Sequence, residues 1–452
     1  MLKIAVCVKV IKGEINPFDA CALECALQTD SSDITVVCMG APTVETELLR
    51  LTRLGVKAVL LTDIRLAGSD TLVTANALSA VIRKIKPDIV FCGRQSIDGD
   101  TAQVGPCMSA LLGYGLITNV MRINSADKTV ECETRLGREN AALPTVLTVE
   151  RINNLRFPKM RSQVGTVERI NIDDIGLDAS KCGLAASPTK VLKTFESKIG
   201  ARKCSFITFD GLDAVIAEAL EKRAETAESQ TDGTKMKSIT VIGEELVPKA
   251  REIAENIRVI NECEPEKIAE LVKNDNAVLW KADIWGRRTA PQVAAMLKTG
   301  LCADCTKLET DGERLLMYRP AFGGTLTAKI ECRTRPQMAT VRCADTENQS
   351  DVVLGIGRGA AEDLEKYTAL AQKYNAEIGA SRAVIDMNIF DYERQIGLTG
   401  KNISPKVYIA CGISGAVQHT CAIERAQTII AINPDKNARI FEFADYGIVG
   451  KL

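Results

Sequence analysis

Two glycine-bearing turns in the last hundred residues are the first places where chemistry is legible: Gly355-Ile356-Gly357-Arg358-Gly359-Ala360 and Gly412-Ile413-Ser414-Gly415-Ala416-Val417-Gln418-His419. Each follows a β-branched run and opens a helical pattern, the setting in which glycine lets backbone N–H groups approach a phosphate. Glu377 lies twenty residues past Gly357, so the first turn fits either a nicotinamide-dinucleotide fingerprint or a plain strand-to-helix turn that needs glycine. In the second turn Ser414 can cap the helical residues after it, and His419 is either a satisfied helix residue or a ligand group. Arg382, after Gly379-Ala380-Ser381, offers a planar cation that can stack on a flat ring. Thr399, inside Gln395-Ile396-Gly397-Leu398-Thr399-Gly400-Lys401, offers a hydroxyl to a ring nitrogen. A surface ion pair and a turn residue are the bland alternatives.

A third loop, Gly93 to Gly105, runs from a strand end through Asp98, Gly99, Asp100, Thr101, Ala102 and Gln103 into a helix at Val104. Its N–H groups and the Thr101 hydroxyl suit a phosphate, while the two aspartates suit ribose hydroxyls or simply cap the helix. It lacks the Lys-Ser/Thr ending of a P-loop, so nucleotide hydrolysis is not indicated. Cys302 and Cys305 form a CxxC without a second ligand pair, and His419 is the only histidine, so no metal site is expected and a Ser/His/Asp hydrolase is disfavoured.

These loops need sheets to hold them. The first hundred residues alternate short strands (Lys3 to Lys9, Ile34 to Met39, Ala58 to Leu61, Asp88 to Gly93) with helical patterns, which predicts α/β architecture with several open, mostly parallel sheets of Rossmann-like, nucleotide-binding type. Asn16 is expected to cap a helix that starts at Pro17 and carries an apolar stripe at Phe18, Ala22, Cys25 and Ala26. Thr101 to Val104 with its helix and Gly115-Leu116 matches Thr289 to Val293 with its helix and Gly300-Leu301, so two related units are expected head to tail. Glu221 to Ser238 reads as a helix end plus linker.

At 452 residues with 57 basic and 58 acidic side chains, the chain has room for several domains and no overall field for a polyanion, so nucleic acid is not an expected partner. No apolar run is long enough to span a membrane, and sixteen scattered cysteines without a secretory signal predict a reducing cytoplasm.

Taken in order, these residues resemble the electron transfer flavoproteins, with a β-subunit pattern at the N-terminus and an α-subunit pattern at the C-terminus of one chain. The β-type motifs are Asn16-Pro17-Phe18-Asp19, the Gly93 to Gly105 loop and Gly183 to Lys190. The α-type motifs are Arg319 to Gly324, Arg335 to Arg342, Gly379 to Arg382, Gln395 to Lys401, Gly412 to His419 and Ala444 to Gly447. The resemblance implies an FAD held mainly by the C-terminal domain, its ring facing the β-like part. Arg382 would lie over the ring, Thr399 near N5 and His419 near the C2 carbonyl, where a donor or cation stabilises the reduced ring. Arg358, Ser381, Gln395, Ile396, Gly397, Leu398, Ser414, Gly415, Ala416, Val417, Gln418 and Asn433 would hold the rest. The family's β subunit binds AMP in simple carriers and a second FAD in the electron-bifurcating branch. The resemblance assigns that site to Cys7, Asn16, Phe18, Asp19, Met39, Gly93, Asp98, Asp100, Thr101, Gln103 and Val104, and the loop's form favours a second FAD.

The expected division is a β-like domain over 1–198, a linker over 199–236, a shortened α-like domain over 237–348 whose first strand and helix are hard to find, and an FAD domain over 349–452. The implied function is electron transfer on FAD, a carrier's work more than a conventional enzyme's. The implied partner is an acyl-CoA dehydrogenase-like or other flavoprotein dehydrogenase, with NADH and ferredoxin or flavodoxin in the bifurcating form. A non-redox AMP- or ATP-sensing protein is the alternative from another class, and an NAD-dependent dehydrogenase built on the Gly355 turn is a third.

Overall fold

A computed structural model describes residues 2–29, 32–126, 128–196, 202–221, 234–321, 326–343, 350–397 and 400–452, so Leu398, Thr399 and, of the expected linker, 199–201 and 222–233 lie outside the described residues. The chain divides into two compact units: Met1–Phe195 with Thr231–Phe322 and Thr327–Arg342, and Glu196–Gln230 with Gly323–Leu326 and Cys343–Leu452.

In the first unit β1 (Leu2–Val8) is followed by a small antiparallel hairpin of β2 (Val10–Ile11) and β3 (Glu14–Ile15). Then come β4 (Ser32–Met39), β5 (Lys57–Leu61), β6 (Ile89–Gly93), β7 (Gly115–Ala126), β8 (Thr129–Thr134), β9 (Gly137–Ala142), β10 (Thr145–Val149) and β11 (Val167–Ile170). Apart from the hairpin they make one sheet in the order β11-β5-β4-β1-β6-β10-β7-β8-β9, parallel except where β8 pairs with β7 and β9. Ile4 to Val8 and Ile89 to Cys92 are buried on both faces, which is why they read as unbroken apolar runs. The chain leaves β1, adds β4 and β5 on one side, and returns to put β6 on the other. The carboxyl ends of β1 and β6 therefore flank a topological switch point, where open α/β sheets leave a crevice.

The same unit continues through β12 (Thr189–Glu196) and, past β13 (Ser205–Phe206) of the other unit, a second parallel sheet. Its strands are β14 (Met236–Ile242), β15 (Ala254–Ile260), β16 (Ala277–Lys281), β17 (Leu301–Cys305) and, after β18 (Lys307–Thr310), β19 (Leu315–Ala321) and β20 (Leu326–Cys332), β21 (Gln337–Val341). The order β15-β14-β16-β21-β17 maps strand for strand on β4-β1-β6-β10-β7, and β12-β20-β19-β18 form a separate sheet. The first strand that the sequence concealed is β14, followed by the helix Val247–Ile253; what this half lacks, among the described residues, is counterparts of β5 and β11. Polar Lys237, Ser238 and Thr240 interrupt β14, so it did not stand out from the polar stretch before it.

The halves meet where helix Val104–Leu112 packs on helix Ile284–Leu297, and Ala295 enters the core of the first half. Gln103 Nε2 donates to Leu301 O (3.1 Å), and Arg288 donates to Leu116 O (2.7 Å), each reaching the strand residue that is the other's counterpart in the duplication.

In the second unit β22 (Val352–Ile356), β23 (Glu377–Ala380), β24 (Val407–Cys411), β25 (Thr428–Asn433) and β26 (Tyr446–Val449) form a parallel sheet with β13, in the order β13-β26-β25-β24-β22-β23. Its switch point lies between β22 and β24. The stretch expected as a linker is partly structural: β13 pairs with β26, and helix Leu212–Glu221 buries Leu212, Ile216 and Ala219 in this core. A one-face apolar stripe is all such a helix needs, and charged residues on its other face disguised it.

Among the described residues no helix is long and apolar enough to cross a membrane, and no cluster of side chains has metal-binding geometry. All sixteen cysteines are free thiols; Cys302 and Cys305 are buried, and burial pushes the Cys305 thiol well above its ordinary range.

Candidate functional site

The two glycine turns of the second unit meet at its switch point. Gly357 N–H donates to Cys411 O (2.7 Å), Gly359 N–H to Gly412 O (3.2 Å) and Gly412 N–H to Ile432 O (2.9 Å). A Cβ on Gly357 would collide with Gly412 O, and one on Gly412 with Ala360 N, so these glycines serve close backbone approach. The helix expected after Gly357 begins as a 3₁₀ segment, Arg358–Asp363, and the α-helix starts only at Leu364. Ser414 is not a cap: the next helical element is the single turn Val417–Thr420, preceded by Ala416 without a side-chain cap. Short turns suffice because the glycines already lock the loops to each other.

Around this junction the structure gathers most of the expected residues at or just past four adjacent strand ends. Arg358 and Ser414 are exposed, Ser381 and Arg382 half-buried. Ser381 N–H donates to Ile356 O (2.8 Å) and Ile396 N–H to Ala380 O (2.8 Å), which ties the Gln395–Gly397 segment to β23. Asn433, at the end of β25, donates from Nδ2 to Ile413 O (2.9 Å), so its amide braces the second turn. Arg382 pairs with Asp386 at 3.5 Å within its own short helix. Gly415, at φ +87°, has no room for a side chain beside Ile440. Two cations, hydroxyls and glycine-walled backbone at the carboxyl edge of a parallel sheet fit a dinucleotide such as FAD.

His419 departs from expectation. Its Nδ1 lies 3.1 Å from Ile396 O, an atom that can only accept, so Nδ1 carries the proton; Nε2, 2.7 Å from the Tyr408 hydroxyl, accepts in turn. Burial lowers the imidazole pKa to about 4, against the Ile396 carbonyl bond that favours the proton. Burial favours the neutral ring and both nitrogens are engaged within the unit, whereas the resemblance implied a donor or cation toward a flavin. Tyr408 was missed by sequence reasoning: it is fully buried on β24 and its hydroxyl covers Gly355, whose lack of a side chain makes room for it. Only the β22–β24 register, with Val353 beside Tyr408 and Gly355 beside Ala410, reveals that pairing.

At the switch point of the first half, Asp19 bridges the two strand ends, accepting from Lys9 N–H (2.8 Å) and Gly93 N–H (3.0 Å). Full burial pushes its carboxyl up to about 7, although these N–H bonds, Asn16 and the Lys9 ammonium pull the other way. Gly93 is required because a Cβ there would strike the Asp19 carboxylate. Asn16 precedes the helix Pro17–Leu27 but makes no side-chain cap; Nδ2 donates to Gln95 O (2.9 Å) and Oδ1 accepts from Ile97 N–H (3.3 Å), fastening the acidic loop. Asp98 pairs with Lys9 at 2.6 Å and Asp100 accepts from Gln95 at 3.0 Å, so neither caps the helix Val104–Leu112. Burial raises the Asp98 carboxyl, but the bonds from Lys9, Ser96 and Gly99 and the Lys9 charge together outweigh it, and the group lies below the usual carboxylate range. Cys7 and Phe18 are packed in the core, Gln103 is taken up by the seam to Leu301, and Met39, Thr101 and Val104 stay half-buried. Among the described residues, the amides of Thr101, Ala102 and Gln103 find no acceptor, which leaves donors for an anion.

A family model described as electron transfer flavoprotein domain matches residues 4–175 and 261–371, and one described as electron transfer flavoprotein FAD-binding domain matches 348–424. The electron transfer flavoprotein subunit alpha of Thermoanaerobacterium thermosaccharolyticum is 38% identical over 232 residues, covering 41% of this chain and 70% of that protein. Protein FixB of Rhizobium meliloti is 37% identical over 225 residues (40% and 64%), and the acryloyl-CoA reductase electron transfer subunit beta of Anaerotignum propionicum 35% over 240 (37% and 65%). The chain thus spans about two thirds of the length of these relatives.

Proposed function

The chain belongs to the electron transfer flavoprotein family, and from that premise we propose that it is a redox carrier that holds FAD at the carboxyl edge of the second unit and exchanges electrons with protein partners. The observation that carries this reading is the meeting of the two glycine turns at the β22–β24 switch point. FAD, when bound, supplies the one- and two-electron chemistry. The chain binds and orients: Arg358 and Arg382 offer positive charge, Ser381 and Ser414 offer hydroxyls, and Asn433 keeps the second turn in place. His419 contributes shape, because its neutral ring pins the Ile396 loop to Tyr408 of β24.

The chain joins a β-type half to an α-type half, a reading supported by the two separate matches of one family model and by the strand-for-strand correspondence of the two sheets. Its acidic loop takes an adenine nucleotide, and the form of that loop favours a second FAD over AMP. The partner is a flavoprotein dehydrogenase of the acyl-CoA type or a reductase, with NADH and ferredoxin or flavodoxin joining in if the second site holds FAD. Sixteen free thiols support a reducing cytoplasm as the compartment.

The test is colour and count. The purified chain is expected to be yellow and to release FAD on heating, with any AMP or further FAD counted in the same extract. Bleaching by NADH without air is expected only with the second FAD. A colourless chain that takes up no FAD on reconstitution would overturn the reading.

A further inference from the structure

The acidic loop of the first half is held in an unusual backbone conformation. Asp100 and Ala102, neither of them glycine, both lie in the left-handed region, at φ +50° and +55°. Such residues persist where the surroundings over-determine them. From the first half the loop is tied by Asn16 and Lys9. From the second half it is tied by Arg319 on β19, which is 5% exposed: Nε donates to Ala303 O of β17 (2.8 Å), one terminal nitrogen to Gly99 O (2.7 Å) and the other to Asp100 O (2.8 Å). The fork grips two successive carbonyls of the loop from across the seam. Asp304 lies within reach of its charge without bonding to it, and receives Arg287 (3.0 and 3.1 Å) and Arg342 (3.1 Å). Burial pushes the Asp304 carboxyl up, but Arg287 and Arg342, with Arg319 behind them, hold it well below the usual carboxylate range.

The duplication shows that this grip is not a requirement of the fold. Leu116 corresponds to Leu301, so Arg122 corresponds to Lys307; their antiparallel partners Glu133 and Tyr318 then correspond, which sets Thr134 opposite Arg319. On the Thr134 side no guanidinium reaches over the seam from that position, and a cavity of about 360 Å³ lies there, lined by Thr118, Asn119, Thr134, Trp285 and Arg288 among others. The arginine is installed only on the side that faces the acidic loop.

We propose that Arg319 is a positioning residue for the first-half nucleotide site, a clamp from the second half that fixes the Gly99–Asp100 carbonyls and so presents the Thr101–Gln103 amides to the anion. This rests on the reading that the acidic loop binds an adenine nucleotide. Arg319 touches no ligand; it acts through the loop, so nucleotide affinity in one half depends on a residue of the other.

The test is calorimetric titration of the full chain with AMP and, separately, with FAD, after bound nucleotide has been removed and one FAD restored to the second unit, whose visible absorption is the internal control. Arg319→Ala is expected to weaken AMP by about tenfold while flavin content stays unchanged, and methylguanidinium is expected to restore affinity in the variant but not to alter the wild type. Restoration by the missing fork is a result that a merely destabilised fold would not give. If the alanine variant does not fold, Arg319→Lys carries the test. It keeps a charge beside Asp304 but cannot span both carbonyls, so the same loss is expected. Unchanged AMP affinity in the variants overturns the clamp. A wild type that binds neither AMP nor FAD at this site overturns the nucleotide reading first and the clamp with it.

Discussion

His419 shows how much a hydrogen-bond partner decides. The only histidine of the chain looked like a group that titrates near neutrality, yet its two nitrogens are closed by a carbonyl and a phenol in a buried setting. With a folded pKa of about 4 and an unfolded value of 6.5, the unfolded chain takes up a proton that the folded chain refuses. The stability of the second unit is therefore expected to fall by about 3 kcal/mol as pH drops from 6.5 to 4, and to be unaffected by this group above that window. Because there is one imidazole, its nitrogen resonances are unambiguous. They are expected to report the Nδ1–H tautomer without a titration step between pH 5.5 and 8. A step near pH 6.5 in the folded protein would show that the ring is not enclosed as described.

At the scale of elements, the glycine turns make a sharper prediction than the helices around them. Gly412→Ala adds a methyl group against the backbone of the neighbouring turn at a φ of +62°, so the turns must part. Loss of about 2 kcal/mol or more of stability and a chain that retains little FAD are expected, read by thermal melting and by the visible-to-ultraviolet absorbance ratio. Gly13→Ala is the control: its φ is +86° but nothing lies within 4 Å, so only about 1 kcal/mol of backbone cost and normal flavin content are expected. Equal effects of the two would remove close approach as the explanation. The turns were legible because glycine clusters at strand ends have few other uses. Their mutual contact was not, since it depends on β22 and β24 being neighbours although β23 lies between them in sequence. For the same reason Tyr408 was invisible, and Asn16, at the N-cap position expected of it, spends its side chain elsewhere: one residue commits its hydroxyl, the other its amide, to partners set by strand order rather than by local spacing. The buried parallel strands, by contrast, announced themselves, because burial on both faces leaves an apolar run and no periodicity to interpret.

For the whole molecule, the duplication was legible in a few residues around the two seam helices and becomes explicit in the matching strand orders. The exchange of Gln103 to Leu301 for Arg288 to Leu116 welds the halves at equivalent places, and Arg319 departs from that equivalence on one side. Unlike the neutral imidazole, Asp19 is a buried carboxyl whose affinity for a proton is raised to about 7 by burial. The stability it lends the first unit is present below about pH 4 and fades as pH rises to about 7. A phosphate settling near the β1 and β6 ends adds negative potential there and pushes that affinity higher still. Docking of an anion at pH 7 should therefore draw hydrogen ions out of the medium. The measured heat of association will then differ between a buffer that ionises with little heat and one that ionises with much; identical heats would mean that Asp19 does not sense its guest.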